Sequence, residues 1–87
     1  MKRVKALGGI CWKLPAIWYR NIPDRLVLLP SGKVAFIELK RPGEKARGGQ
    51  VRMGKDLTDL GLIWEVLDTE EKIDSFLQGI CGGNCDY

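Results

Sequence analysis

Residues 24–40, DRLVLLPSGKVAFIELK, decide the fold because two apolar runs flank a short turn. Arg25 to Leu29 is almost entirely apolar, which predicts a strand that is buried on both faces. Pro30-Ser31-Gly32 has the composition of a turn, and Lys33 to Lys40 is predicted to form the next strand. We therefore expect an antiparallel β-hairpin in this part of the chain.

The segments on either side of the hairpin predict a mixed sheet flanked by helices. Upstream, a helix of at most two turns ends at Gly8-Gly9, and a strand runs from Ile10 to Leu14. Downstream, periodicity and glycine positions predict a helix over 50–60, a strand over 62–67 and a final helix. The predicted order is short helix, three strands, helix, strand, helix, in the α/β class with an α+β mixed sheet.

Both longer helices carry apolar positions that should anchor them to the sheet. The anchors predicted for the helix over 50–60 are Val51, Leu57 and Leu60. The final helix has an amphipathic stripe, which consists of Ile73, Phe76, Leu77 and Ile80. It should begin with a capping box in which Asp68 is the N-cap and Glu71 lies three residues later. Trp12 and Trp64 lie on strand positions and are expected in the core.

The size and composition of the chain are those of one small globular domain. The 87 residues are 45% hydrophobic and 29% charged, which excludes a disordered tail, a fibre and a membrane protein. We expect a single domain over residues 1–80 and a flexible tail over 81–87. A core of this size is marginal, so self-association would stabilise it.

The cysteines and the N-terminal residues predict an intracellular, cytoplasmic protein. Three cysteines without a recognisable secretory signal are typical of a reducing compartment. Cys81 and Cys85 could supply two thiolates to a metal, but the chain has no histidine to help complete a zinc site. A loose glycine-rich tail is the more economical interpretation of these two cysteines.

Charge is distributed very unevenly along the chain. Residues 1–55 carry thirteen Lys and Arg against three acids, whereas residues 56–87 carry one Lys against eight acids. The two parts therefore have net charges of +10 and −7. Such asymmetry predicts that the basic part faces a polyanion.

Three polar residues lie at one end of the predicted hairpin. Asp24 opens the first strand, while Glu38 and Lys40 close the second and share one face because strand residues two apart point the same way. Two carboxylates and the Leu39 carbonyl could bind Mg²⁺, which prefers oxygen ligands. Lys40 could hold an attacking water and stabilise developing negative charge. The alternative is a surface salt bridge from Glu38 to Lys40 or Arg41, which would contribute little.

These residues resemble the PD-(D/E)XK nuclease signature, with Pro23-Asp24 separated from Glu38-Leu39-Lys40 by thirteen residues. The wider sequence is similar to the VRR-NUC branch of that superfamily over residues 4–77. The matching segments are Gly8–Lys13, Ile22–Leu26, Phe36–Gly43, Gln50 and Leu60-Gly61.

The resemblance implies a restriction-endonuclease-like core and a metal-dependent DNA endonuclease. It implies that Asp24 and Glu38 bind Mg²⁺ or Mn²⁺, that Lys40 is the catalytic lysine and that Gln50 completes the active site. Stand-alone members of this branch are similar to Holliday-junction resolvases, so we expect a homodimer acting on branched DNA. Neither a membrane nor a small-molecule cofactor is expected.

The sequence departs from the family pattern at two places. The family usually has a glutamate on its first helix, but no acid precedes Asp24 here, so the metal would have one carboxylate fewer or the helix would extend beyond this sequence. The family also favours glycine two residues before the Pro-Asp pair, where this chain has Asn21. Asparagine tolerates a left-handed backbone better than most residues.

A set of basic residues around the proposed site is expected to contact the DNA backbone. These residues are Lys13, Arg20, Arg25, Arg41, Lys45, Arg47, Arg52 and Lys55. The segment from Arg41 to Gly49 is expected to be a mobile basic loop. Trp18 and Tyr19 could stack on an unpaired base, although a core or dimer contact is the more ordinary role. Two further hypotheses stay open: a non-catalytic DNA-binding module, and an RNA-guided or tRNA-type nuclease.

Overall fold

In a computed structural model, which describes residues 2–15, 17 and 19–81, the predicted hairpin is the centre of a four-stranded sheet. The strands are β1 (Ile10–Lys13), β2 (Arg25–Leu29), β3 (Lys33–Leu39) and β4 (Ile63–Leu67), and they lie in that order across the sheet. The first three strands pair antiparallel, and β4 pairs parallel to β3. The predicted order of elements and the mixed sheet are therefore confirmed.

Three helices accompany the sheet: α1 (Lys2–Ala6), α2 (Gly48–Asp59) and α3 (Glu70–Cys81). Gly8 has a φ of +83° directly after α1, and Gly61 has a φ of +87° after α2, so both helices end where glycine allows a left-handed residue. The hairpin turn also needs this backbone region, since Ser31 has a φ of 69° and Gly32 a φ of 73°.

One side of the sheet, which we call the closed face, holds the hydrophobic core. Its fully covered side chains are Val27, Leu29, Ala35, Ile37 and Leu67 from the sheet, with Val4 of α1 and Leu77 of α3 packed on them. The predicted stripe of α3 is confirmed, because Ile73, Phe76 and Ile80 pack around the same cluster. Lys33 donates a hydrogen bond to the Ile80 carbonyl at 2.6 Å, which ties the end of α3 to the sheet.

The other side, which we call the open face, carries Ile10, Trp12, Leu26, Phe36 and Trp64 and is covered by α2 at the β4 end. Gly54 of α2 lies so close to the Trp64 ring that a Cβ there would overlap the indole. The prediction that β2 is buried on both faces is wrong for the open face. Leu26 and Leu28 are half-buried because α2 does not extend across the hairpin.

Three local predictions are also wrong. Helix α2 packs through Gln50 and Gly54, which are buried, and the predicted anchor Leu57 is half-buried. The other two predicted anchors, Val51 and Leu60, are exposed, and Leu60 lies one residue beyond the end of α2. The N-cap of α3 is Thr69 rather than Asp68, since the Thr69 hydroxyl accepts a hydrogen bond from the Lys72 N–H at 3.1 Å. Trp12 is 53% exposed, because β1 is an edge strand beyond the reach of α2.

Within the described ranges, no helix has the length and apolarity needed to cross a bilayer. The single-domain boundary at residue 80 stays a prediction. Residues 82–87, including Cys85, lie outside the described part of the chain, as does Trp18, so the predictions made for them are untested.

Candidate active site

The two predicted carboxylates meet on the open face, at the end of the hairpin opposite its turn. Arg25 pairs with Ile37, so Asp24 and Glu38 are the next facing residues along the two strands. The Asp24 carbonyl extends the ladder by accepting a hydrogen bond from the Leu14 N–H at 2.9 Å. The spacing of Asp24 and Glu38 in the sequence therefore becomes a close contact in space.

The Asp24 side chain is fixed by the backbone of the neighbouring strand. Its Oδ2 accepts a hydrogen bond from the Leu39 N–H at 3.0 Å, and this holds the carboxylate beside Glu38. Asn21, three residues earlier, has a φ of 63°, which confirms the left-handed conformation expected where the family favours glycine. Its side chain lies against the Gly49 backbone, so the turn before Asp24 contacts the first turn of α2.

Glu38 is fully buried, and its polar neighbours among the described residues are Asp24 and Lys40, yet neither of its carboxylate oxygens makes a hydrogen bond of ordinary length and angle there. A buried charge without hydrogen bonds is very costly. Burial and then the neighbouring Asp24 carboxylate raise the pKa of Glu38 from 4.5 to about 7, and the Lys40 ammonium opposes that rise. Burial is the larger of the two causes that raise this pKa.

This pair of carboxylates fits a divalent cation. Two free oxygens on Glu38 and a carboxylate beside them provide the hard, anionic donors that Mg²⁺ and Mn²⁺ take, with water completing the shell. Across residues 2–15, 17 and 19–81 there is no cluster of three or more His, Cys, Asp or Glu residues. The site therefore supplies two acidic ligands, and the Leu39 carbonyl stays a proposed third.

Lys40 directly follows β3, and its backbone N–H donates to the Leu67 carbonyl at 2.9 Å, which continues the pairing with β4. Strand alternation points Lys40 to the same face as Glu38. Gln50 lies in the first turn of α2 and is 7% exposed. Its Oε1 accepts a hydrogen bond from the Arg47 N–H at 3.0 Å, so this side chain also caps its own helix.

The segment between Lys40 and α2, which is predicted to be a mobile loop, has a hydrogen bond to Asp68, just before α3. The Asp68 carboxylate accepts a hydrogen bond from the Gly43 N–H at 3.1 Å and binds the Lys72 ammonium at 2.9 Å. Hydrogen bonding from Lys72 and then from Gly43 lowers the pKa of Asp68. Nothing in the composition of the loop indicated this anchor, because Asp68 is twenty-five residues away.

The predicted DNA-contacting residues divide into two groups. Arg20, Arg41, Lys45, Arg47, Arg52 and Lys55 are exposed. Lys13 and Arg25 pair with each other at the start of β2, and alternation places them on the closed-face side, away from Glu38. The Arg25 guanidinium donates a hydrogen bond to the Asp24 carbonyl at 3.4 Å.

Trp12 lies near this site, although its strand position predicted a place in the core. It pairs with Leu26 on the open face and is exposed there. The signal was present in the alternation of β1, where Cys11 packs against the core and Trp12 must therefore point to the other side.

The comparisons with known proteins agree with this geometry. No family model matches the sequence. The chain is 42% identical over 71 residues to "Putative nuclease p44" of Acyrthosiphon pisum secondary endosymbiont phage 1, which covers 82% of this chain and 76% of that protein. A solved structure described as a VRR_NUC domain superposes with a TM-score of 0.82 at 29% identity, covering 88% of this chain and 84% of the other. The sequence signature, the fold and the identity to this relative together show that the chain belongs to the VRR-NUC nuclease family.

Proposed function

We propose that this nuclease is a DNA endonuclease that depends on Mg²⁺ or Mn²⁺. The observation that carries the proposal is the buried Glu38 carboxylate, which lacks hydrogen bonds from the described residues and lies beside Asp24. A fold that buries an ionisable group without a partner loses stability unless something else binds that group. A divalent cation supplies the missing partner.

In this proposal each residue has a separate task. Asp24, Glu38 and the Leu39 carbonyl hold the ion, which would acidify a bound water and stabilise charge on the phosphate. The Lys40 ammonium orients the attacking water and stabilises the negative charge that develops on phosphorus-bound oxygen. The water oxygen would bond to phosphorus as the bond to the leaving oxygen breaks; the attacking water loses one proton to solvent, and the leaving oxygen takes one proton from solvent. Gln50, at the adjacent end of α2, would orient the substrate.

DNA is the substrate that the charge distribution supports. The +10 part of the chain contains the carboxylate pair, the loop between Lys40 and α2, and the exposed bases of α2. Arg41, Lys45 and Arg47 lie in the loop that Asp68 anchors, so they are presented next to the site. The logarithm of the DNA-binding constant falls linearly with the logarithm of the salt concentration. Replacing a basic side chain that binds a phosphate should make that slope shallower by nearly one unit. Such a substrate would be met in the cytoplasm of a bacterium or of a phage-infected host.

A homodimer acting on branched DNA, such as a four-way junction, is the finer form of the proposal. Three neighbouring apolar side chains are exposed: Leu60, which is 76% exposed, Leu62 and Ile63. A second copy of the chain would bury apolar area by packing on them. Two copies would bring two carboxylate pairs to one junction. Sedimentation of Leu60→Glu beside wild type tests it, since the variant should be a monomer where wild type is a dimer.

The test of the proposed function is cleavage of a labelled four-way junction with Mg²⁺, Mn²⁺ or EDTA. Wild type should cleave with either metal and fail with EDTA. Lys40→Ala and Asp24→Ala should each cleave about a thousandfold more slowly. Lys5→Ala, an exposed lysine of α1 on the side of the closed face, should cleave like wild type or nearly so. Cleavage that persists in Lys40→Ala and Asp24→Ala would refute the proposed site, and an RNA junction in parallel shows which nucleic acid is cut.

A non-catalytic DNA-binding module is the alternative that one observation favours. The described residues supply two acidic ligands where the family usually adds a glutamate from its first helix. In that case the same assay would show salt-dependent binding of the junction and no cleavage with either metal.

A further inference from the structure

An exposed aromatic side chain lies beside the carboxylate pair, on the same face of the sheet. Ile10 and Trp12 of β1 point to the open face, because Cys11 between them packs into the core. The two side chains are 54% and 53% exposed. An exposed tryptophan at the edge of a site leaves a large planar apolar surface available to a ligand.

The register of the sheet places Trp12 next to Asp24. Trp12 pairs with Leu26, and Asp24 lies two residues before Leu26 on the same face. Diagonal neighbours of this kind are about 7–8 Å apart, which is within reach of an aromatic side chain. The Leu14 N–H bond to the Asp24 carbonyl keeps the two strands paired up to this point. A nucleotide with its phosphate at Asp24 and Glu38 can therefore place its base over Trp12.

Charge complementarity favours nucleic acid over a second copy of the chain as the occupant of this surface. Residues 40–55, which run from the end of β3 through the loop into α2, contain six Lys and Arg and one acid, and α2 covers the β4 end of the open face. Two copies meeting through the open face would bring these like charges together, whereas a polyanion would be attracted to them.

We propose that Trp12 stacks on an unpaired nucleobase adjacent to the phosphate that is cut. The inference rests on the proposed function, because it assumes that a nucleic-acid phosphate binds at Asp24 and Glu38. In an intact duplex both faces of a base are covered by its neighbours, so Trp12 can stack on a base only where the helix is interrupted. Trp12 thereby gives the site a preference for branched, bulged or single-stranded DNA without reading sequence.

The experiment measures binding of two duplexes in Ca²⁺, one with a single unpaired thymidine and one with an abasic nucleotide at that place. Wild type should bind the thymidine bulge about tenfold more tightly than the abasic bulge, since stacking on an aromatic side chain contributes about that much per base. Trp12→Leu should bind both duplexes equally, at the affinity of wild type for the abasic one. Trp12→Phe should recover part of the preference because it restores an aromatic face.

Ile10→Ala is the matched control, since it alters the same exposed strip without removing an aromatic ring. It should keep the tenfold preference of wild type. If Trp12→Leu keeps that preference, or if Trp12→Leu and Ile10→Ala both convert a dimer to a monomer, the inference is overturned while metal-dependent cleavage can still stand. Absence of binding to either duplex by wild type would overturn the inference and the proposed function together.

Discussion

The two faces of the sheet use burial in opposite ways. The closed face brings together apolar side chains from β2, β3, β4, α1 and α3, and its core cluster contains no charged side chain. The open face is only partly covered by α2, yet it contains Glu38, the one buried acid among the residues the structure describes. The same strand, β3, serves both faces, since Ile37 and Glu38 are adjacent and point in opposite directions.

This difference separates the face of the sheet that stabilises the fold from the face that carries the proposed chemistry. Burial of apolar area on the closed face stabilises the fold. Burial of Glu38 on the open face raises its pKa to about 7 and destabilises its charged form, which a bound cation would stabilise. A variant in the core of the closed face should therefore change stability, whereas a variant that removes the Glu38 charge on the open face should raise stability and lower activity.

Leu77→Ala should have the largest effect on stability, because it opens a cavity in the centre of the closed face. We expect the free energy of unfolding to fall by about 4 kcal/mol, measured by urea denaturation. Ile17→Ala, which removes the same number of carbon atoms from a side chain that is 86% exposed, should change it by less than about 0.5 kcal/mol. Comparable losses in the two variants would contradict the assignment of the core.

Glu38→Gln should stabilise the metal-free protein while abolishing cleavage. The folded-state pKa of Glu38, about 7, lies above the ordinary value of 4.5, so the folded state binds the extra proton and wild type loses stability as the pH rises from about 4.5 to above 7. Allowing for solvent screening, we expect Glu38→Gln to be about 2 kcal/mol more stable than wild type at pH 8 and equal to it at pH 4.

Urea denaturation at both pH values, in EDTA, provides this comparison. Glu65→Gln is the matched control, because Glu65 is exposed on the neighbouring strand. It should follow the pH dependence of wild type. A wild-type stability that does not fall between pH 4 and pH 8 relative to Glu38→Gln would show that Glu38 is not buried as an unpartnered acid.

Gly54→Ala should displace α2 from the open face. The new methyl group overlaps the Trp64 indole, and we expect a loss of between about 1 and 2 kcal/mol together with slower cleavage, because Gln50 moves with the helix. Gly79→Ala, on the exposed side of α3, has no neighbour within 4 Å and should raise stability by about 0.5–1 kcal/mol. Urea denaturation and junction cleavage of the two variants would show whether α2 positions the site.

Asp68→Ala should release the basic loop with a smaller effect on the rest of the fold. Loss of the bond from the Gly43 N–H should let the loop move more freely, and we expect trypsin to cut after Lys45 and Arg47 about fivefold faster, measured by mass spectrometry. Asp59→Ala, at the exposed end of α2, should leave the rate unchanged. Equal trypsin sensitivity in all three proteins would refute the anchoring role of Asp68.

The sequence was sufficient for features that depend on local pattern. The two apolar runs and the turn predicted the hairpin, and the period-2 rule then placed Glu38 and Lys40 on one face. Features that depend on which helix covers each face of the sheet could not be predicted from the sequence. Helix α2 packs through Gly54 because Trp64 needs the space, and Trp12 is exposed because α2 stops short of β1. Hydropathy alone therefore predicted core positions that the arrangement of helices does not cover.

Binding of Mn²⁺ at pH 8, measured by isothermal titration calorimetry, tests most directly whether the buried Glu38 carboxylate of the open face binds a cation. Wild type should bind one ion per chain through Asp24 and Glu38. Asp24→Asn and Glu38→Gln should each weaken that binding at least about tenfold, while Glu65→Gln should leave it unchanged. Binding by Glu38→Gln with wild-type affinity would contradict the account.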